Sequence, residues 1–172
     1  MPIIDYQQRL LDKLDERGDV VPHQQTREPT ITLDEHQSEA IDEIVEGLRI
    51  NLDAFSIVHA CGTGKSVLAA TLTGASQDVY DEEQGKEYRD LLIGIDRSNV
   101  GRLSDELSHI GLDVGIWGDG RKQLQRPIII ASIQALQNVT RWSDLPKILG
   151  KVGLLIGDEA DCYLTEDRQQ VV

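Results

Sequence analysis

Apolar residues along this chain fall first into helical stripes and then into short continuous runs. In the first segment Ile3, Ile4, Leu10, Leu11 and Leu14 share one side of a helix, while Asp5, Arg9, Asp12, Lys13 and Glu16 lie largely elsewhere. This predicts a short amphipathic helix that Gly18 ends. The stretch from Asp19 to Pro29, with Pro22, Gln24 and Gln25, reads as a linker. Thr32 and Glu35 then have the spacing of a capping box, ahead of a helix whose Ala40, Ile41, Ile44, Val45 and Leu48 share a face. Beyond it the period changes. Ala54 to Val58 predicts a buried strand, Lys65 to Thr73 a helix and Tyr80 to Arg89 a charged excursion. Leu91 to Ile95, Asp113 to Trp117, Pro127 to Ser132 and Leu154 to Gly157 predict further strands, with a helix over Val100 to Ile110. Continuous apolar strands separated by helices require a mostly parallel sheet covered on both faces, which is an α/β fold.

The joints between these elements carry the chemistry. His59-Ala60-Cys61-Gly62-Thr63-Gly64-Lys65-Ser66 connects the first apolar run to a helix. Glycines at this position let successive backbone N–H groups converge on phosphate oxygens, and the positive end of the following helix faces the anion. Lys65 reaches outer phosphates and Ser66 is placed to ligate Mg2+, so the loop suits a nucleoside triphosphate. The usual pattern has glycine where His59 stands, and a hydrogen bond to neighbouring backbone is the role expected of that histidine. A second motif, Gly153-Leu154-Leu155-Ile156-Gly157-Asp158-Glu159-Ala160-Asp161, is an apolar strand that delivers two adjacent acids and reads as a Walker B element. Ligands of doubly wound sheets sit beyond the carboxyl ends of the strands, which places Asp158 to hold the water shell of the metal and Glu159 to orient or deprotonate water.

Asp158-Glu159-Ala160-Asp161 spells the box of DEAD-box proteins, and Gly62-Thr63-Gly64-Lys65-Ser66 resembles their motif I. The chain thus resembles superfamily 2 helicases and translocases of DEAD/DEAH type. The resemblance implies a RecA-like P-loop domain that binds ATP and Mg2+ and moves on DNA or RNA. Catalysis would fall to Lys65, Asp158 and Glu159, and nucleotide binding to Gln37, Gly62, Thr63, Gly64, Lys65 and Ser66, with Ser66 and Asp158 at the metal. Gln37, in Leu33-Asp34-Glu35-His36-Gln37, resembles the glutamine that reads adenine, whose edge an amide can both donate to and accept from. Ser132, in Ile130-Ala131-Ser132-Ile133-Gln134, stands where relatives touch the nucleic-acid backbone, and Arg97 and Ser98 stand where motif Ia does so.

The Pro-Thr of motif Ia is replaced by Asp96, and no aromatic residue lies between Tyr6 and Gln37. The layout looks at least as much like the broader helicase-like motors of restriction systems and DNA repair. No Ser-Ala-Thr triplet follows the acidic box. The expectation is a helix and linker over 1–30 and, over 31–172, a first RecA-like domain truncated after motif II. A second RecA-like domain, in the same or another chain, would supply the arginine finger and half of the nucleic-acid track.

Charge changes this picture in one respect. Thirty acids against seventeen bases leave a net charge of −13 over 172 residues, the opposite of the basic footprint of a domain that binds nucleic acid unaided. Two rival readings therefore stay open: a degenerate, nucleotide-responsive binding module without motor activity, and a P-loop ATPase of another lineage. Arg121, Lys122 and Arg126 form one local basic cluster, and Gly115-Ile116-Trp117-Gly118-Asp119-Gly120 reads as a turn ahead of it. Cys61 and Cys162 are too few for a disulfide framework or a four-cysteine zinc site, and His23, His36 and His109 are scattered. No apolar run approaches the roughly 20 residues that span a bilayer, so the expected location is cytoplasmic.

Overall fold

The computed structural model describes residues 3–17, 32–52, 54–57, 64–82, 88–94, 97–138, 147 and 149–158. In chain order the elements are α1 (Ile3–Arg17), α2 (Glu35–Arg49), α3 (Lys65–Glu82), β1 (Tyr88–Gly94), α4 (Arg97–His109), β2 (Val114–Gly118), β3 (Arg121–Lys122), β4 (Ile128–Ser132), α5 (Ile133–Gln137) and β5 (Lys151–Gly157). Four apolar runs and the short β3 assemble into one five-stranded sheet in the order β3-β2-β4-β1-β5. β2, β4, β1 and β5 run parallel, and β3 alone is antiparallel, paired with β2.

Period-two alternation divides the strands between two cores. Leu92, Ile116, Ile128 and Ile130 face α1 to α4, whereas Leu91, Ile93, Trp117, Ile129 and Ala131 face Ile133 and Leu136 of α5 together with Leu149. Ile128, Ile129 and Ile130 are fully buried. Each contributes about 1.5–3 kcal/mol of apolar transfer energy, which makes β4 the anchor of the sheet. The chain is an α/β, RecA-like domain with a mostly parallel sheet.

α3 differs from expectation in length, running to Glu82 where a stop at Thr73 was expected and absorbing the first part of the supposed charged excursion. Gly74 does not end it because every residue from Thr71 to Gln77 is buried. Packing on all sides outweighs the roughly 1 kcal/mol that an interior glycine costs. One of the packing partners is α1, whose Tyr6, Leu10, Leu11 and Leu14 enter the same core. Ser76 joins two of these elements to the sheet: its hydroxyl is hydrogen bonded to Tyr6 Oη and donates to Asp90 Oδ1 of β1. The Tyr6 ring lies where a side chain on Gly153 of β5 would stand.

The glycine-rich turn after β2 closes a hairpin. Asp119 and Gly120 have φ of 52° and 73°, the two positive values that a type I′ turn needs. Lys122 then sits 5.5 Å over the Trp117 ring.

Residues 54–57, expected to begin a buried strand, form none. Ala54, Phe55 and Ser56 are exposed, and the Phe55 ring lies over Gly47, in the space left by the missing side chain. The segment thus follows α2 instead of the sheet. Val58 lies outside the described residues. Among the described residues β5 is the edge strand on this side, with Val152 and Leu155 exposed.

Candidate functional site

Parallel strands bring their carboxyl ends to one rim, and the candidate residues gather there. Asp158 follows β5, and its backbone N–H donates to the carbonyl of Ile93 in β1 at 3.1 Å. α4 opens at Arg97 just beyond β1, and α5 opens directly after β4. Ser66 lies in the first turn of α3, where Val67 N donates to Gly64 O at 2.8 Å.

Arg102, from α4, joins the two motifs. Its Nη1 donates to Ser66 Oγ at 3.2 Å and its Nη2 to Asp158 Oδ2 at 2.9 Å. Asn99, one turn earlier on the same helix, donates from Nδ2 to the same carboxylate oxygen at 3.1 Å. On the solvent side Glu106 accepts from Arg102 Nη1 on both oxygens at 3.0 Å. The Glu106 hydrogen bond, with smaller contributions from Asp158, raises the Arg102 guanidinium above its ordinary range against an opposing effect of partial burial. Sequence reasoning missed both Asn99 and Arg102. Their spacing with Glu106 puts all three on one helical stripe, adjoining the buried face of Val100, Leu103 and Leu107, and that polar stripe was the available signal.

Gln37 reaches Gly64, just ahead of α3, from the other side. The capping box of α2 is formed by Asp34 and Gln37, not by Thr32 and Glu35. Gln37 N donates to Asp34 Oδ1 and Asp34 N to Gln37 Oε1, both at 3.1 Å. The helix starts later than its sequence suggested because two cap candidates stand two positions apart, and Asp34 has the glutamine at the third helical position. This buries Gln37 and lays Nε2 against Gly64. Gly64, at φ +78°, is required for its backbone and for its lack of a side chain, since a Cβ would meet that amide.

The remaining candidates are spread along the rim. Arg97 is exposed and paired with Asp119 at 3.0 Å, and Ser98 is exposed. Ser132 is buried and caps α5, its Oγ accepting from Ala135 N at 3.1 Å. Gly62, Thr63 and Glu159 lie outside the described residues, as do His59, Cys61 and Cys162. The basic cluster is divided: Arg121 and Lys122 form β3 near one end of β2, while Arg126 pairs with Asp113 at the other end, at 2.8 Å.

Whether these residues suit Mg2+ can be judged from the donors. No group of three or more His, Cys, Asp or Glu side chains is placed to hold a metal among the described residues. A hydroxyl and a carboxylate do converge, and they already share a cation. Mg2+ is commonly held by one or two carboxylates, with phosphate and water completing the shell, and Ser66 with Asp158 meets that description. No helix among the described residues is long and apolar enough to cross a membrane.

A parallel α/β sheet in which a Gly64-Lys65-Ser66 helix start is linked to an acidic strand end is the arrangement of a RecA-type ATPase domain. Residues 30–163 match the family described as type III restriction enzyme, res subunit, and the chain belongs to that family, which narrows the domain to the superfamily 2 helicase-like class. Neither a curated protein nor a solved structure matches it.

Proposed function

We infer that this chain is the ATP-binding half of a DEAD/DEAH-type helicase or nucleic-acid translocase, coupling ATP hydrolysis to movement on DNA or RNA together with a second RecA-like domain. The observation that carries the reading is the meeting of Ser66 and Asp158, from two motifs distant in sequence, on the single guanidinium of Arg102. Bound Mg-ATP supplies the phosphoanhydride bond and the metal charge that offsets charge developing on the transferred phosphoryl group.

Around it, Lys65 would hold the outer phosphates at the amino end of α3, Ser66 and Asp158 would hold the metal, and Glu159 would orient the attacking water. Gln37 selects adenine through its amide. The second domain contributes an arginine finger, whose absence lowers turnover by about 10³–10⁵. Without that second domain, residues 1–172 bind ATP and hydrolyse little of it.

Calorimetric titration of Mg-ATP and Mg-GTP tests this. Saturable binding that prefers ATP, is lost in Lys65→Ala and becomes indifferent to the base in Gln37→Ala is expected. Absence of binding by folded protein, or brisk strand-stimulated turnover by the chain alone, overturns it.

One set of contacts favours a second reading, a nucleotide-responsive binding module without motor activity. Arg97 is tied to Asp119 and the Ser132 hydroxyl to the cap of α5, so two of the groups expected on the nucleic-acid track are engaged within the domain. Fluorescence anisotropy with labelled single strands separates the two. Strand binding that responds to Mg-ATP in the two-domain assembly supports the motor, and its absence supports the module.

A further inference from the structure

The position of Arg102 assigns it a task that neither motif contains. Ser66 Oγ and Asp158 Oδ2 are the oxygens that a divalent cation would engage, and both accept hydrogen bonds from this one side chain. Guanidinium has donors and no acceptors. It therefore cannot share a metal with these oxygens: either it donates to them or it moves aside, and its fixed charge repels an approaching cation.

Two further features make the movement possible. Arg102 is 46 % exposed, so its side chain can rotate into solvent. Glu106, four residues along the same helix, already binds Nη1 through both oxygens and keeps the guanidinium when Asp158 releases it. Asn99 meanwhile retains its bond to Asp158 Oδ2 and preserves the orientation of the carboxylate.

We propose that Arg102 is a resident cation that occupies the divalent-metal position between Ser66 and Asp158 in the nucleotide-free protein, so that metal entry requires its transfer to Glu106. This rests on the nucleotide-site reading above and makes Arg102 a positioning residue of that site. It keeps Asp158 compensated and Ser66 oriented while the site is without nucleotide, and it disfavours binding of the metal alone.

The test uses Mn2+ without nucleotide, with the free ion followed by electron paramagnetic resonance, on the intact chain, Arg102→Gln, Arg102→Lys and the double variant Arg102→Gln/Asp158→Asn. Circular dichroism reports folding, and Mn-ATP binding is measured in parallel on each protein. The expected result is one Mn2+ step in Arg102→Gln at least about tenfold tighter than any in the wild type, a factor well resolved in binding free energy. Arg102→Lys, which keeps the charge, should stay near wild type, and the double variant should lose the step. If Arg102→Gln binds Mn2+ no more tightly than wild type while Mn-ATP still binds, the inference falls and the nucleotide-site reading stands. If no protein in the set binds Mn2+ or Mn-ATP, both fall together.

Discussion

Two polar networks tie helices to this sheet, and they are built on opposite terms. One is Tyr6, Ser76 and Asp90, linking α1, α3 and β1 within the core, with all three residues buried. The other is Ser66, Asn99, Arg102, Glu106 and Asp158 at the carboxyl rim, where the side chains of Arg102 and Glu106 are 46 % and 41 % exposed. Among the described residues the buried network holds one carboxyl with hydroxyl partners and no counter-charge; the rim network holds formal charges in opposition. A buried network resists rearrangement because any group left without a bond is costly there, whereas an exposed ionic network can exchange partners with water at little cost. The contrast separates the part of the domain that fixes geometry from the part that can change state.

The largest test of that contrast is pH. Burial pushes the Asp90 carboxyl well above its ordinary value of 3.8, against hydrogen bonds from Ser76 and Tyr6 that act the other way. The native state then holds a proton that the unfolded chain releases. Stability from this group is fully present below the unfolded carboxylate value, near 3.9, and is lost as pH rises toward the folded value. Relative to Asp90→Asn, wild type should lose up to about 1.4 kcal/mol per pH unit above that onset. Urea melts of both proteins over a pH series that starts at that onset and rises from it check this, and parallel pH profiles would show that Asp90 is not carrying the proton.

Next in size is Ser76→Ala, which removes the hydroxyl that joins Tyr6 to Asp90. A cost of about 1–3 kcal/mol is expected, together with earlier hydrogen exchange in α1 than in β4. If α1 keeps its protection, its apolar contacts alone are sufficient to hold it.

How much of this was legible beforehand depended on how local each signal was. The Ile128 to Ala131 run announced a central strand because every position is buried, and the Asp119-Gly120 pair marked a turn because its backbone needs positive φ. The spacing of Thr32 and Glu35 misplaced the start of α2, where the capping box forms between Asp34 and Gln37. The end of α3 was misplaced because the burial from Thr71 to Gln77 that carries it past Gly74 is visible only in the assembled fold. The run from Ala54 to Ile57 is apolar enough for a strand, yet Phe55 found a place over Gly47. At the site, motif spacing named Gln37, Gly64, Ser66 and Asp158 separately. That Gln37 lies against Gly64, and that Arg102 stands between Ser66 and Asp158, are tertiary facts, at which only the polar stripe of α4 hinted for Arg102.

Gly64→Ala examines the rim where it borders rigid structure. A Cβ there would meet the Gln37 amide while the backbone is held at φ +78°, at a cost of about 1–2 kcal/mol from left-handed strain and displacement of the amide. Loss of stability should appear in urea melts, with weaker ATP binding beside it. Gln37→Ala in the same background should recover part of the steric cost, because the colliding amide is gone. Failure to recover any would assign the whole effect to the backbone conformation.

The smallest effect is the one that most sharply separates the two networks. Arg102 makes more polar contacts than Ser76 does, so a count of bonds would rank its loss as the greater. Its partners at the rim are, however, reachable by water: Glu106 is rehydrated when the guanidinium is removed, and Asp158 keeps the Asn99 hydrogen bond. Exposed ion pairs contribute at most about 1 kcal/mol and are screened by salt. Arg102→Gln should therefore change unfolding free energy by less than about 1 kcal/mol, with the difference shrinking further in half-molar salt. A loss as large as that of Ser76→Ala would mean that the rim network is part of the framework, and that Arg102 is too firmly built in to yield its place to a metal.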